Sequence, residues 1–209
     1  MDIYRGGRIE IIAGGMFSGK SEELIRRLRR AVIARQRVQV FKPLLDDRFS
    51  IEEVVSRDDR RLKAIPVATA EELLGSIELG VQVVGIDEIQ FFDDQIVEVV
   101  MHLADAGLRV IAAGLDQDYL RRPFGPMPEL LSVAEEVSKM HAVCVRCGGA
   151  AHYSQRIAGG ESQVEVGDAS YEARCRRCYE PYRPMNEETE EPSQMKIEEG
   201  GRPTPPRTA

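Results

Sequence analysis

The stretch that most restricts this chain is residues 11–21, IIAGGMFSGKS. β-branched residues run into a glycine pair, and Gly-Lys-Ser then opens a long amphipathic pattern. A strand, a glycine turn and a helix start, in that order, leave few topologies open. The helix has to cross back over the sheet that holds the strand. Gly14-x-x-x-x-Gly19-Lys20-Ser21 fits the phosphate-loop pattern in its proper strand-to-helix context. Gly14, Gly15 and Gly19 let the backbone turn tightly with its N–H groups inward, so the loop and the helix N-terminus hold phosphates. The expected nucleotide-binding segment is therefore Gly14, Gly15, Met16, Phe17, Ser18, Gly19, Lys20 and Ser21. Lys20 brings a point charge to the β- and γ-phosphates, and the Ser21 hydroxyl is offered to Mg²⁺.

The rest of the chain extends this start. Arg8–Ala13 reads as a buried strand and Ser18 to about Arg35 as a helix. Leu24, Ile25, Leu28, Ala31 and Val32 form its apolar face, and Arg26, Arg27, Arg29 and Arg30 are expected to face away. Residues 37–43, 81–87 and 108–114 read as further strands, and 93–106 as a helix burying Ile96, Val97, Val100 and Leu103. Near-continuous apolar strands between helices predict an α/β fold, a P-loop (RecA-like) parallel sheet flanked by helices. The pattern changes near Lys139–Ala142. The expected organisation is a nucleotide-binding α/β domain at 1–140, a small zinc-binding β subdomain at 141–183 and a disordered, acidic tail at 184–209. The formal charge of −7 argues against nucleic-acid binding through bulk positive charge. No apolar run approaches the roughly 20 residues of a membrane span. The N-terminus shows no signal segment, so a cytoplasmic location is expected.

A phosphate loop needs a carboxylate for its magnesium, and VVGIDEIQFF (83–92) supplies one at the end of an apolar strand. Asp87 is the expected Mg²⁺ partner. Glu88 then falls at the C-terminal edge of the sheet, where ligands collect, and can take a proton from an attacking oxygen. Ile89 and Gln90 are expected to join Asp87 and Glu88 at the nucleotide. An acidic pair of this kind serves hydrolysis and transfer alike.

Four cysteines form two pairs, Cys144-x-x-Cys147 and Cys175-x-x-Cys178, with 27 residues between them. Each pair presents two thiolates from one tight turn, and two such turns complete a tetrahedral zinc site. All four positions are protein ligands, so the zinc is expected to be structural, stapling a unit too small to bury its own core. Iron is the minor alternative.

GGMFSGKS, DEIQFF, GLDQDYLRRPFG and the cysteine pairs around VEVGDASYEARC together resemble the type II (cellular-type) thymidine kinases, over about Arg8 to Tyr182. The resemblance implies transfer of the ATP γ-phosphate to the 5′-hydroxyl of thymidine or deoxyuridine. It also implies a zinc-stapled lasso closing over the base, a homotetramer and feedback inhibition by dTTP. Glu88 is similar to the family's general base. Met16, Phe91, Leu115, Tyr119 and Phe124 match positions around the thymine ring, and Ser154 stands where threonine is common. Val164, Val166 and Gly167 belong to the segment that reads the base edge through its backbone, and Tyr171 matches a tyrosine holding the nucleoside. Asp58 falls beside the site. Phe17 has no family role, and packing under the loop is expected of it. Gly15 replaces a common proline, Arg57 replaces a common histidine, and the lasso is about one residue short. The rival class is a P-loop ATPase whose zinc ribbon grips nucleic acid. It would need a basic zinc module with stacking aromatics, whereas acids are interleaved with the arginines of 144–182. A catalytically idle nucleotide switch is a weaker third reading, since Glu88 and Ser21 are both present.

Overall fold

Alternation along the first strand decides the layering. In β1 (Arg8–Gly14), Ile9, Ile11 and Ala13 join one hydrophobic cluster and Ile12 joins another. Successive strand side chains point to opposite faces, so β1 must be covered on both sides. The computed structural model describes residues 6–44, 53–55, 61–158 and 170–181. Its central sheet also contains β2 (Val38–Pro43), β5 (Ile65–Val67), β6 (Val83–Ile86), β7 (Arg109–Gly114) and β8 (Glu136–Met140). The order across the sheet is β5-β2-β6-β7-β1-β8, and every neighbouring pair is parallel. The remaining two strands of this half, β3 (Glu53–Val55) and β4 (Arg61–Lys63), pair antiparallel with each other.

Helix α1 (Lys20–Ile33) covers one face through Leu24, Ile25, Leu28 and Ala31. The other face is covered by α2 (Ala70–Gly75), α3 (Gln95–Asp105) and α4 (Met127–Val133), which bury Leu73, Ile96, Val97, Val100, Leu103, Met127 and Leu130. The expected α/β architecture is therefore observed. Among the described residues no helix is long and apolar enough to cross a membrane.

Two expectations for α1 are corrected. Val32 is 53 % exposed, lying beyond the edge of the sheet-facing stripe. Arg27 is buried, and its guanidinium reaches Glu10 at 2.8 Å, Glu136 at 2.9 Å and Ser138 at 2.7 Å. Its spacing explains this: three residues from Leu24 and four from Ala31, Arg27 belongs to the inward stripe. An inward arginine is tolerable because Glu10, which shares a face of β1 with Ile12, meets it there.

After β8 the chain builds two small antiparallel hairpins, β9 (Ala142–Val143) with β10 (Ala150–Ala151), and β11 (Tyr153–Arg156) with β12 (Tyr171–Arg174). These are the short strands and turns expected around the cysteines. Their core is a cluster of Ala142, Cys144, Ala151 and Ala173. The expected tail at 184–209 lies outside the described residues.

Candidate active site

The glycine loop leaves the C-terminal end of β1, and α1 begins at Lys20 with Gly19 in the left-handed region at φ 82°. Gly14 lies against β8: a Cβ there would sit 2.4 Å from the Met140 carbonyl, so only glycine fits. Lys20 is buried, and its Nζ donates to the Gly15 carbonyl at 2.9 Å. Burial lowers its pKa, while the charges of Glu88, Asp87 and Asp116 pull it back up. Ser18 Oγ donates to the same carbonyl at 2.8 Å, bracing the turn.

On the far side of β7 from β1, β6 ends at Ile86 and delivers Asp87 and Glu88. Ser21 Oγ donates to Asp87 at 3.1 and 3.3 Å. Burial, and then the neighbouring Glu88 charge, push the Asp87 carboxyl up to about 7. One hydroxyl and one carboxylate this close form a hard-oxygen donor set suited to Mg²⁺. Glu88 adopts φ 50°, ψ 39°, a left-handed conformation uncommon for a residue with a side chain. The 3₁₀ turn Ile89–Phe91 follows at once. Gln90 fixes the result: its Nε2 donates to Glu88 Oε2 at 2.6 Å, and its Oε1 accepts from the Leu115 N–H at 2.9 Å. A strained carboxylate held by a buried amide is the kind of outlier that clusters at functional sites.

The segment after β7 forms the next wall. Asp118 Oδ1 accepts from the N–H groups of Leu120 and Arg122, both at 2.9 Å, pinning a tight loop. Tyr119 and Phe124 are buried within it, and Leu115 is half-buried. Phe91 and Phe124 meet edge to face with centroids 5.4 Å apart. Across from them, Tyr179 donates to the Tyr119 carbonyl at 2.7 Å, joining the cysteine module to this loop.

Two residues escaped the sequence reading. Arg156, 1 % exposed, lies with its guanidinium carbon 3.6 Å from the Tyr119 ring centroid and donates to Tyr171 Oη at 2.6 Å. A buried arginine between two tyrosines of the expected base pocket unites them through cation–π and hydrogen-bond contact. The signal was present as a lone arginine in the strand-like HYSQR. Asp116 is also buried; one oxygen pairs with Lys139, and Oδ1 has no hydrogen-bond partner among the described residues. Its place at the end of β7, beside β6, could have been read from the topology. Asp58, Val164, Val166 and Gly167 lie outside the described residues.

The four cysteine sulfurs all lie within 4.8 Å of one another, with Cys147 and Cys175 at 3.6 Å. Zinc–thiolate bonds of about 2.3 Å place tetrahedral sulfurs about 3.8 Å apart, so the cluster fits the ion. Burial raises the Cys144 thiol, but N–H groups of Cys175, Arg146 and Cys147 outweigh it and bring it to about 6. Hydrogen bonds that the Cys178 thiol donates to the Cys175 and Cys147 sulfurs push Cys178 up to about 12. Four thiols this close cannot all ionise unless a cation joins them.

A glycine loop feeding a helix, with a lysine, a hydroxyl and two carboxylates gathered at one end of a parallel sheet, defines a P-loop phosphoryl-transfer protein. Comparison with known proteins narrows the class. A family profile described as thymidine kinase matches residues 7–179, and the chain belongs to that family. Thymidine kinase from Rhodothermus sp. (strain ITI 518) is 56 % identical over 181 residues, covering 86 % of this chain and 84 % of that protein. Thymidine kinase from Bacteroides thetaiotaomicron is 54 % identical over 177 residues, covering 84 % and 88 %. The one from Bdellovibrio bacteriovorus is 51 % identical over 180 residues, covering 86 % and 88 %.

Proposed function

We propose that this chain transfers the γ-phosphoryl group of ATP to the 5′-hydroxyl of thymidine, and of deoxyuridine, giving the 5′-monophosphate and ADP in nucleotide salvage for DNA synthesis. The observation that carries the reading is the Glu88 carboxylate, fixed by Gln90 at the sheet edge beside the phosphate loop. Loop N–H groups and Lys20 hold the triphosphate. Ser21 and Asp87 would hold magnesium, which supplies charge neutralisation at the phosphate oxygens when bound. Glu88 accepts the hydroxyl proton as the nucleoside oxygen bonds to Pγ and the bond from Pγ to the leaving ADP oxygen breaks. A base placed this way contributes about 10²- to 10⁴-fold.

Met16, Phe91, Leu115, Tyr119, Phe124, Ser154 and Tyr171 form the nucleoside pocket, closed by the lasso stretch that includes Val164, Val166 and Gly167. Aromatic walls take the flat base, and fixed polar groups read its edge. Structural zinc on the four cysteines holds the lasso hairpins together, and residues 141–183 act as one unit beside the 1–140 domain. By its family resemblance, Asp58 is assigned to the nucleotide end of this site. Feedback by dTTP, assembly as a homotetramer and a cytoplasmic location complete the proposal. The test is incubation with γ-labelled ATP, Mg²⁺ and a panel of nucleosides. Label on thymidine supports the reading. ATP hydrolysis stimulated by DNA, with every nucleoside unlabelled, would replace it with the nucleic-acid motor.

A further inference from the structure

The phosphate loop touches the cysteine module at three successive residues. A Cβ on Gly15 would meet the His152 carbonyl oxygen at 3.2 Å and Ser154 Oγ at 3.4 Å, so the start of β11 lies directly on the loop. The Met16 N–H donates to Ser154 Oγ at 2.9 Å. Phe17 packs its ring on the cluster of Ala142, Cys144, Ala151 and Ala173, which Cys175 and Cys178 also adjoin. Phe17 does this with φ at 66°. A bulky side chain in the left-handed region is strained and persists only where the surroundings hold it. Here the apolar surface around the cysteines is that holding surface.

We infer that the cysteine module is the outer wall of the phosphate loop, with Phe17 and Ser154 as positioning residues that set the loop's shape for ATP. The module therefore serves the nucleotide as well as the nucleoside. The inference rests on reading the loop as the ATP site. The contribution of Phe17 is a fixed conformation at the centre of the loop, set by its packing on the cysteine module. Ser154 spends its oxygen on the Met16 N–H, which selects the remaining loop amides for the ligand. The state of the metal site is then read at the loop: loosening the four cysteines loosens the surface on which Phe17 is seated.

The experiment measures Mg–ATP binding by calorimetry without nucleoside, alongside zinc content and KM for each substrate. Phe17→Ala and Phe17→Gly are expected to weaken ATP binding about tenfold, with thymidine KM changed by less than about twofold. Zinc content should stay at about one per chain. Phe17→Gly matters because glycine accepts the left-handed backbone freely. A loss in that variant reports the missing ring and not the strain. Phe17→Leu, which restores apolar packing, should recover most of the affinity. Wild-type protein stripped of zinc should lose ATP binding at least as severely as Phe17→Ala. ATP affinity unchanged in both Phe17→Ala and Phe17→Gly would overturn the inference, as would equal losses for ATP and thymidine accompanied by loss of zinc. Wild-type protein that fails to bind ATP would remove the loop reading itself. Wild-type protein that binds ATP yet leaves thymidine unlabelled would remove the kinase reading while leaving the wall intact.

Discussion

The two ends of the central sheet bury charge in opposite ways. At the end where β1 begins, Glu10 is 1 % exposed and is met by three guanidinium groups: Arg8 at 2.8 Å, Arg27 at 2.8 Å and Arg109 at 2.5 Å. Burial raises the Glu10 carboxyl, but hydrogen bonds from Arg109, Arg8 and Arg27 overcome it and hold the group down at about 2. At the opposite end Asp87, Glu88 and Asp116 share Lys20 as their buried cation, and Asp87 is pushed up to about 7. One cluster has its charges matched by the protein. The other keeps an excess of negative charge, a backbone in a rare conformation and an aspartate oxygen without a hydrogen-bond partner among the described residues. Matched buried charge holds a fold in one arrangement; unmatched buried charge is a site waiting for something else to complete it.

The strongest way to break this comparison is to neutralise one carboxylate at each end. Glu88→Gln should lower turnover on thymidine by about 10²-fold or more while the melting temperature moves little, because Glu88 is only half-buried and its removal relieves crowding. A fall in activity of less than about threefold would show that the two ends do not differ in kind. Glu10→Gln should do the reverse. Removing one partner from a buried ion cluster leaves uncompensated guanidinium charge and costs about 3–5 kcal/mol, read by urea unfolding at neutral pH. Specific activity of the folded fraction should stay near wild type.

Acid provides a second reading of the same contrast. Because the folded-state pKa of Glu10 is depressed from 4.5 to about 2, its stabilisation is present above pH 4.5 and is lost as pH falls toward 2. Glu23 is depressed to about 2 as well, chiefly through its hydrogen bond from Arg26, and adds to the same window. Wild-type protein should therefore lose stability steeply between about pH 4.5 and 2, and Glu10→Gln should show a shallower slope there. Equal slopes would mean that Glu10 is not held ionised by its arginines.

How much of this was visible in the residues alone divides along the same axis. The functional end was legible because its chemistry is local. Gly14 to Ser21 are contiguous, Asp87 and Glu88 end an apolar run, and the cysteines announce themselves by spacing. The structural end was not, because Glu10, Arg27 and Arg109 are scattered through three elements and meet only once the sheet and α1 are assembled. Reading every arginine of α1 as solvent-facing put charge ahead of periodicity, and Arg27 followed periodicity. Strands β5 and β8 were missed for a related reason. They are the two edges of the sheet; β5 is short and carries Pro66, and β8 alternates half-buried with exposed residues, including Val137 at 45 %. The contact of Phe17 with the cysteine module was out of reach too, since it joins residues more than a hundred positions apart.

The smallest expected effect gives the comparison its finest test, because it uses one guanidinium and two carboxylates. Arg27 binds Glu10 at 2.8 Å and Glu136 at 2.9 Å, so by distance the two pairs are nearly equal. They differ in surroundings: the Glu136 side chain is 45 % exposed on edge strand β8, whereas Glu10 is 1 % exposed. Water and salt screen the first pair and leave the second alone. Glu136→Gln should therefore cost less than about 1 kcal/mol, and the loss should shrink further in high salt. The Glu10→Gln loss should persist in the same buffer. If both substitutions cost the same, contact distance and not burial would govern the ion cluster, and the matched end of the sheet would be no more than a surface network folded inward.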